Sequence, residues 1–283
     1  MKRRAVGIAL VFLVGAAVLL SGCAAKVGAA QEMVIDEPLA SAAVTEVELV
    51  MGEGKLTLSP GAAGLVSGNV TYNVAAWKPK ITRSDERLTI AQGSTKAVSA
   101  GDGNVVNEWD LALGVAPIRL RIEAGAYEGV FDLGGLSLQG LDVTDGAANT
   151  QVGFSSPNPS QMERLRYVTG ASTVTLTGLA NANPAAMEFT GASGSYVLDF
   201  SGQLRSDAKA QITITGGTLR IEVPSTTRAQ VKMKNTTAEV ATQGSWTIDG
   251  STYSTPAVAR GAGDKTLTIE LQMAAGSAVL VCK

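Results

Sequence analysis

Ile118-Arg119-Leu120-Arg121-Ile122-Glu123-Ala124-Gly125-Ala126 alternates apolar and charged side chains and then halts at a glycine followed by alanine. An extended chain sends successive side chains to opposite faces, so Leu120 and Ile122 share one face and Arg119 and Arg121 the other. The pattern returns downstream: Leu141 and Val143 stand five and three residues before Gly146, and Leu165 and Tyr167 stand likewise before Gly170. Gly125, Gly146, Gly170, Gly191 and Gly216 are separated by 21, 24, 21 and 25 residues. Before the last two the apolar pair moves by one, to Met187/Phe189 and Ile212/Ile214, which predicts a one-residue bulge or register change. The tetrapeptide T-G-A-S occurs at Thr169 to Ser172 and again at Thr190 to Ser193, and the first register reappears at Leu49/Met51 before Gly54 and Leu271/Met273 before Gly276.

A period of 21–25 residues, with a glycine at a fixed offset from an alternating strand, is the spacing of one coil of a β-solenoid. Each coil would stack on the next about 4.8 Å away and bury a continuous inner row. Glycine is expected at the corner because tight turns often need a positive φ. A β-sandwich with turns roughly every 8 to 12 residues is the competing architecture. The shared registers and the copied tetrapeptide favour an all-β, single-domain solenoid. Its composition agrees: 45% hydrophobic residues and 32 glycines allow a core of strands with tight turns, and no segment shows a long helical period.

At the other end of the argument stands the N-terminus. Lys2, Arg3 and Arg4 precede an uncharged apolar stretch, Ala5 to Leu20, that ends in Leu20-Ser21-Gly22-Cys23. This is a secretion signal with a small-residue cleavage site, and L-S-G-C resembles the lipobox of bacterial lipoproteins, whose cysteine receives a diacylglyceryl group. A plain transmembrane helix is the alternative for so apolar a run. The expected organisation is a lipoprotein signal peptide at 1–22, a lipidated tether at 23–43 and a β-solenoid domain at 44–283. The Ala-rich tether shows no strong period, and as flexible chain it would span roughly 25 Å. Two acyl chains on Cys23 would hold far better than one. The chain is therefore expected to be exported, lipid-anchored to the bacterial cell membrane and facing outside the cytoplasm.

Charge and residue counts limit the chemistry. Removal of three cations leaves 20 Lys and Arg against 25 Asp and Glu, a net charge near −5, which over the chain as a whole is a poor balance for nucleic acid or an anionic membrane surface. With no histidine, a Ser-His-Asp or Cys-His nucleophile and His-based zinc sites are excluded. Cys282 has no intrachain partner once Cys23 is acylated, and its place in an apolar alternation predicts a buried thiol. No phosphate loop, cofactor motif or metal cluster is present. Trp77, Trp109 and Trp246 are scattered among apolar alternations and read as core or cap residues.

Carboxylates are the remaining acid/base groups: Asp132, Asp142, Asp145 and Asp199. Two of them facing one cleft at about 5 to 9.5 Å would suit a carbohydrate-active enzyme, whereas Asp at Gly-rich corners most commonly caps turn amides. The other candidate is a surface. Arg121, Asp142 and Arg166 lie four residues before Gly125, Gly146 and Gly170, and Arg119 and Arg164 lie six before the first and third. Stacked in register they form an outward Arg, Asp, Arg column, either an ion-pair ladder or a face for an anionic envelope polymer or a partner's acidic patch. The loops around Asn158 in S-P-N-P and Asn183 in N-A-N-P are expected to match along one edge and offer a binding rim.

Four further stretches, E-L-V-M-G-E-G-K-L-T-L at Glu48 to Leu58, I-R-L-R-I-E-A-G-A-Y-E-G-V-F-D-L-G-G-L at Ile118 to Leu136, F-S-S-P-N-P at Phe154 to Pro159 and L-D-F-S-G at Leu198 to Gly202, resemble bacterial toast-rack proteins. These are envelope proteins of stacked β coils, related to cell-wall-active antibiotic response proteins and to adhesins. The resemblance implies the fold, carries no catalytic motif onto this chain, and accords with a non-enzymatic binding or structural lipoprotein without a cofactor. The alternatives are a carbohydrate-active enzyme using an Asp pair and an envelope-stress sensor or regulator.

Overall fold

In a computed structural model of the chain, residues 26–39, 44–94, 104–261 and 263–283 are described. The signal peptide and Cys23 lie outside these residues. The chain opens with β1 (Val27–Glu37), β2 (Thr45–Pro60) and β3 (Val66–Val74), then β4 (Lys80–Arg83), β5 (Arg87–Ala91) and β6 (Asn107–Leu113). The body is β7 (Ile118–Asp132), β8 (Leu138–Gly153), β9 (Met162–Thr177), β10 (Pro184–Asp199) and β11 (Ala208–Val223). It closes with β12 (Ala229–Met233), β13 (Glu239–Gln243), β14 (Thr247–Asp249), β15 (Thr252–Ser254), one helical turn α1 (Pro256–Ala259), β16 (Leu267–Met273) and β17 (Ser277–Cys282).

β2, β7, β8, β9, β10 and β11 stack in parallel, residue on residue, as successive rungs. The terminal rungs are split. β16 and β17 pair with the two halves of β11, and β5 and β6 with the two halves of β2. Antiparallel additions cap both ends: β3 on β6 and β1 on β3 at one, β15 on β12 and β14 on β15 at the other. Parallel strands need a return connection. Here the loops 133–137, 154–161, 178–183 and 200–207 supply it, stacking by backbone bonds such as Asn158 N to Asn181 O at 2.8 Å. The chain is thus an all-β solenoid.

Each long strand is two half-strands meeting at a corner where two consecutive residues face outward. In β7 the inward set Ile118, Leu120, Ile122 is followed by outward Gly125 and Ala126, and the inward set resumes at Tyr127, Gly129 and Phe131. The rungs place Leu49, Ile122, Val143, Tyr167, Phe189, Ile212 and Leu271 in one inner column and Leu58, Phe131, Val152, Leu176, Leu198, Ile221 and Leu280 in another. All are buried. Each such side chain contributes on the order of 1.5–3 kcal/mol relative to exposure, which is why the period of the sequence and the height of the stack agree.

Several expectations require correction. Gly125, Gly146 and Gly170 do not have positive φ. Glycine is needed there because the rungs approach closely: a Cβ on Gly125 would lie 2.3 Å from Gly52 O, and one on Gly170 would lie 2.2 Å from Gly146 O. No bulge separates β10 from its neighbours; its corner is Ala192-Ser193, and Gly191 faces inward beside the Tyr196 ring. The two T-G-A-S copies are therefore one residue out of step, with Thr169 opposite Gly191.

Part of the tether expected over 23–43 is β1, paired antiparallel with β3. Most of its side chains are exposed, with Ile35 its one buried apolar anchor. An edge strand held mainly by backbone bonds has no face to bury and so leaves no period to read.

Candidate functional site

The outward face of the first half-strands carries the arginines singled out above, and the rungs bring them together. One column reads Glu48, Arg121, Asp142, Arg166, Glu188 across β2, β7, β8, β9 and β10. The column beside it reads Glu46, Arg119, Gly140, Arg164. Strand alternation fixes both, since these residues are out of phase with the buried Leu120, Leu141 and Leu165.

Carboxylates meet every one of the four arginines. Arg166 Nη1 donates to Asp142 Oδ1 at 3.0 Å and its Nε stands 4.0 Å from Glu188, while Arg164 reaches the other Asp142 oxygen at 3.8 Å. Arg121 lies 3.4 Å from Glu48 and also bonds Glu123. Arg119 spans the rung above it to reach Glu163 at 3.0 Å. That reach is open because Gly140, the rung between, has no side chain.

The missing side chain leaves an open groove of about 450 Å³, lined by Arg119, Arg121 and Arg164 and by Glu46, Asp142 and Glu163 with Gly140 at its floor. Three cations and three anions line it. It therefore offers alternating hydrogen-bond donors and acceptors on a rigid sheet, at rung spacings of about 4.8 Å.

The acidic candidates do not combine in a cleft. Asp142 faces outward and Asp145, three residues on in the same strand, faces the interior. Asp132 accepts from Gly134 N at 3.0 Å and Ser155 Oγ at 2.7 Å, and Asp199 from Ser201 N at 2.9 Å and Ser201 Oγ at 2.8 Å, so both cap turns. Their strands are three rungs apart in one column, a separation of about 14 Å. Asn158 and Asn183 bury their amides between loops, Asn158 Nδ2 bonding Leu138 O at 2.8 Å and Asn183 Nδ2 bonding Ser160 O at 3.1 Å, so they hold the loops together instead of lining a rim.

Asp145 is the centre of an interior polar cluster that sequence reading did not assemble. Tyr167 Oη donates to its Oδ2 at 2.7 Å, Thr169 Oγ1 bonds its Oδ1, and Ser172 Oγ stands 3.4 Å from that same oxygen. Burial pushes the Asp145 carboxyl above the usual range, against the pull of those hydroxyls. Nearby, the buried Tyr127 and Thr150 hydroxyls have no hydrogen-bond partner within 3.5 Å among the described residues. The signal was present in the strand phase, because Asp145 continues the inward series Leu141, Val143. Cys282 is buried, as its alternation predicted.

Among the described residues no helix is long and apolar enough to cross a membrane, and no group of three or more Asp, Glu or Cys is placed to hold a metal ion. Comparison with known proteins follows the fold. Residues 26–177 match the family described as the N-terminal domain of toast_rack, DUF2154. Eight chains of solved structures match. One is the crystal structure of a putative cell adhesion protein from Clostridium sporogenes, 18% identical, covering 90% of this chain and 100% of that one with a TM-score of 0.50. Another is a putative adhesin from Bacteroides fragilis, 11% identical, covering 89% and 97% with a TM-score of 0.47. No curated protein matches. At these identities the likeness is one of fold.

Proposed function

Since the chain belongs to the toast-rack family by its match over 26–177, we propose that it is a non-enzymatic envelope module, held at the outer side of the cell membrane by a diacylglyceryl group on Cys23. Its arginine-bearing face engages an anionic envelope polymer. The basic start, apolar run and L-S-G-C of the first 23 residues support export and anchoring. The cell adhesion name borne by the Clostridium sporogenes protein accords with a surface role.

The observation that carries the binding reading is the groove over Gly140. Two rungs, β7 and β9, hold Arg119, Arg121, Arg164 and Arg166 on a face that cannot rearrange without breaking the sheet, and Gly140 on β8 between them leaves open the space from Arg119 to Arg164. An anion entering there exchanges with Glu163 and Asp142 for the guanidinium groups, so the affinity is modest and salt-sensitive. Binding on a repetitive polymer then gains from many weak contacts.

The test is retention on isolated cell-wall polymer of the wild type and of a variant with all four arginines changed to glutamine. Retention that falls in the variant, and falls in the wild type as salt rises, supports the reading. Equal retention of the two proteins sinks it and leaves the column as a structural ladder.

A further inference from the structure

β1 begins at Val27, so four peptide units separate it from Cys23, a span of at most about 14 Å. A flexible tether of twenty residues would let the domain stand away from the bilayer; this length does not. Val27 pairs with Val74, the last residue of β3, which runs directly into the 3-10 turn Ala75–Trp77. The corner of the domain that holds this pair must lie close to the lipid headgroups if Cys23 is in the membrane.

The chemistry of that corner fits such a surface. Lys26, Lys78 and Lys80 are exposed, as are Ala75 and Ala76, while Trp77 beneath them is buried. The outer-face arginines are neutralised by carboxylates, whereas none of these three lysines has a carboxylate within 4.0 Å among the described residues. Each lysine near an anionic leaflet adds roughly five-fold to binding. Laying the stack flat on its glycine corner ridge would instead present Glu53 with Glu123 and Glu128, which already pair with Arg121 and Lys55, and so offers no set of unpaired cations.

We propose that the corner formed by the start of β1 and the 3-10 turn rests on an anionic bilayer surface, with Lys26, Lys78 and Lys80 against the headgroups and the stack rising from it. This rests on the lipid anchor proposed above. Ten strand-to-strand steps lead from β1 through β3, β6, β2 and the long rungs to β17 and β13, placing the far cap about 48 Å away. The arginine face then stands beside the membrane, within reach of polymer.

The test uses full-length lipidated protein in vesicles of phosphatidylglycerol and phosphatidylcholine, with Cys282→Ser as background. A fluorophore is placed on Ala76→Cys or on Ile248→Cys, and headgroup-level lipid quenchers are added. Mass spectrometry of the N-terminal peptide reports separately whether Cys23 carries the lipid. With the lipid present, quenching at position 76 but not at 248, weakened by Lys26→Gln, Lys78→Gln and Lys80→Gln together, is the expected result. Lipid present with equal quenching at both sites, or with none at 76, overturns the docking proposal alone. An unmodified Cys23 overturns the anchor and, with it, the docking built on it.

Discussion

Tyr167 on β9 donates its hydroxyl to Asp145 Oδ2 on β8 at 2.7 Å, inside the coil, where every neighbouring inner position is apolar or a hydroxyl. A carboxyl buried this way is raised by desolvation. The folded state then binds its proton more tightly than the unfolded state, so the stability it contributes is fully present below the unfolded-state value near about 3.9 and is lost as pH rises through the folded value. Asp145→Asn, which keeps an acceptor without the charge, should gain stability over wild type as pH rises from 4 to 7 in urea unfolding. Asp145→Leu should lose stability at all pH, because the Tyr167 hydroxyl is left buried without its acceptor at about 1–3 kcal/mol, while Thr169 keeps its bond to Ser172 Oγ at 2.6 Å. A constant difference between wild type and Asp145→Asn across that range would show the carboxyl not to titrate as argued.

The corner glycines should respond unequally to a single methyl group. A Cβ on Gly170 would meet Gly146 O at 2.2 Å, whereas one on Gly146 would meet Gly125 O at 3.1 Å. Both contacts are with backbone of the adjoining rung, which cannot swing aside as a side chain can. Gly170→Ala is expected to cost about 2 kcal/mol or more and Gly146→Ala less than about 1 kcal/mol. Thermal unfolding of the two variants side by side checks the order; the reverse order would mean the rungs are not stacked at this spacing.

That contrast also shows what could be read from the sequence. The inner columns were legible because apolar residues alternate over six or seven positions and the corner interrupts them at a near-constant spacing. The outward Arg121, Asp142 and Arg166 followed from the same arithmetic. The reason for glycine did not: positive φ and close backbone approach call for the same residue, and only the 2.2 Å approach at Gly170 separates them. The apparent shift at β10 arises because Gly191 is not the corner but an inward residue making room for Tyr196. Edge pairing of β1 was invisible, since a strand that buries only Ile35 has no pattern. Asp145 was legible as inward by phase, but its partners come from another rung, and pairing between rungs needs the register to a single residue.

Asp142 links Arg164 and Arg166 across one rung boundary. These pairs are partly solvent-exposed, and Asp142→Asn should change stability by less than about 1 kcal/mol, with the difference shrinking in high salt. Its effect on binding should be larger and opposite in sense. Removing a carboxylate that competes for two guanidinium groups should strengthen retention on anionic cell-wall polymer, where the four-arginine variant weakens it. A retention equal to that of the wild type would place the polymer elsewhere on the surface.

Cys282 closes the last strand opposite Val223 on β11, and burial pushes its thiol up. Thiolate is the reactive form, so both the low exposure and the raised proton affinity slow attack on a disulfide reagent. In native buffer, a thiol reagent should label Cys282 no faster than β17 opens, and labelling should rise steeply through the urea transition. The same burial bears on oxidative pairing outside the cytoplasm: two chains joined through Cys282 would first have to peel β17 from β11 and β13, exposing Ala278 and Leu280 from the inner columns. Non-reducing electrophoresis of protein oxidised while folded should therefore show monomer, and dimer should appear after oxidation in denaturant. Rapid stoichiometric labelling, or dimer formed in native buffer, would mean that the final strand is loosely held and that the coil ends at β11.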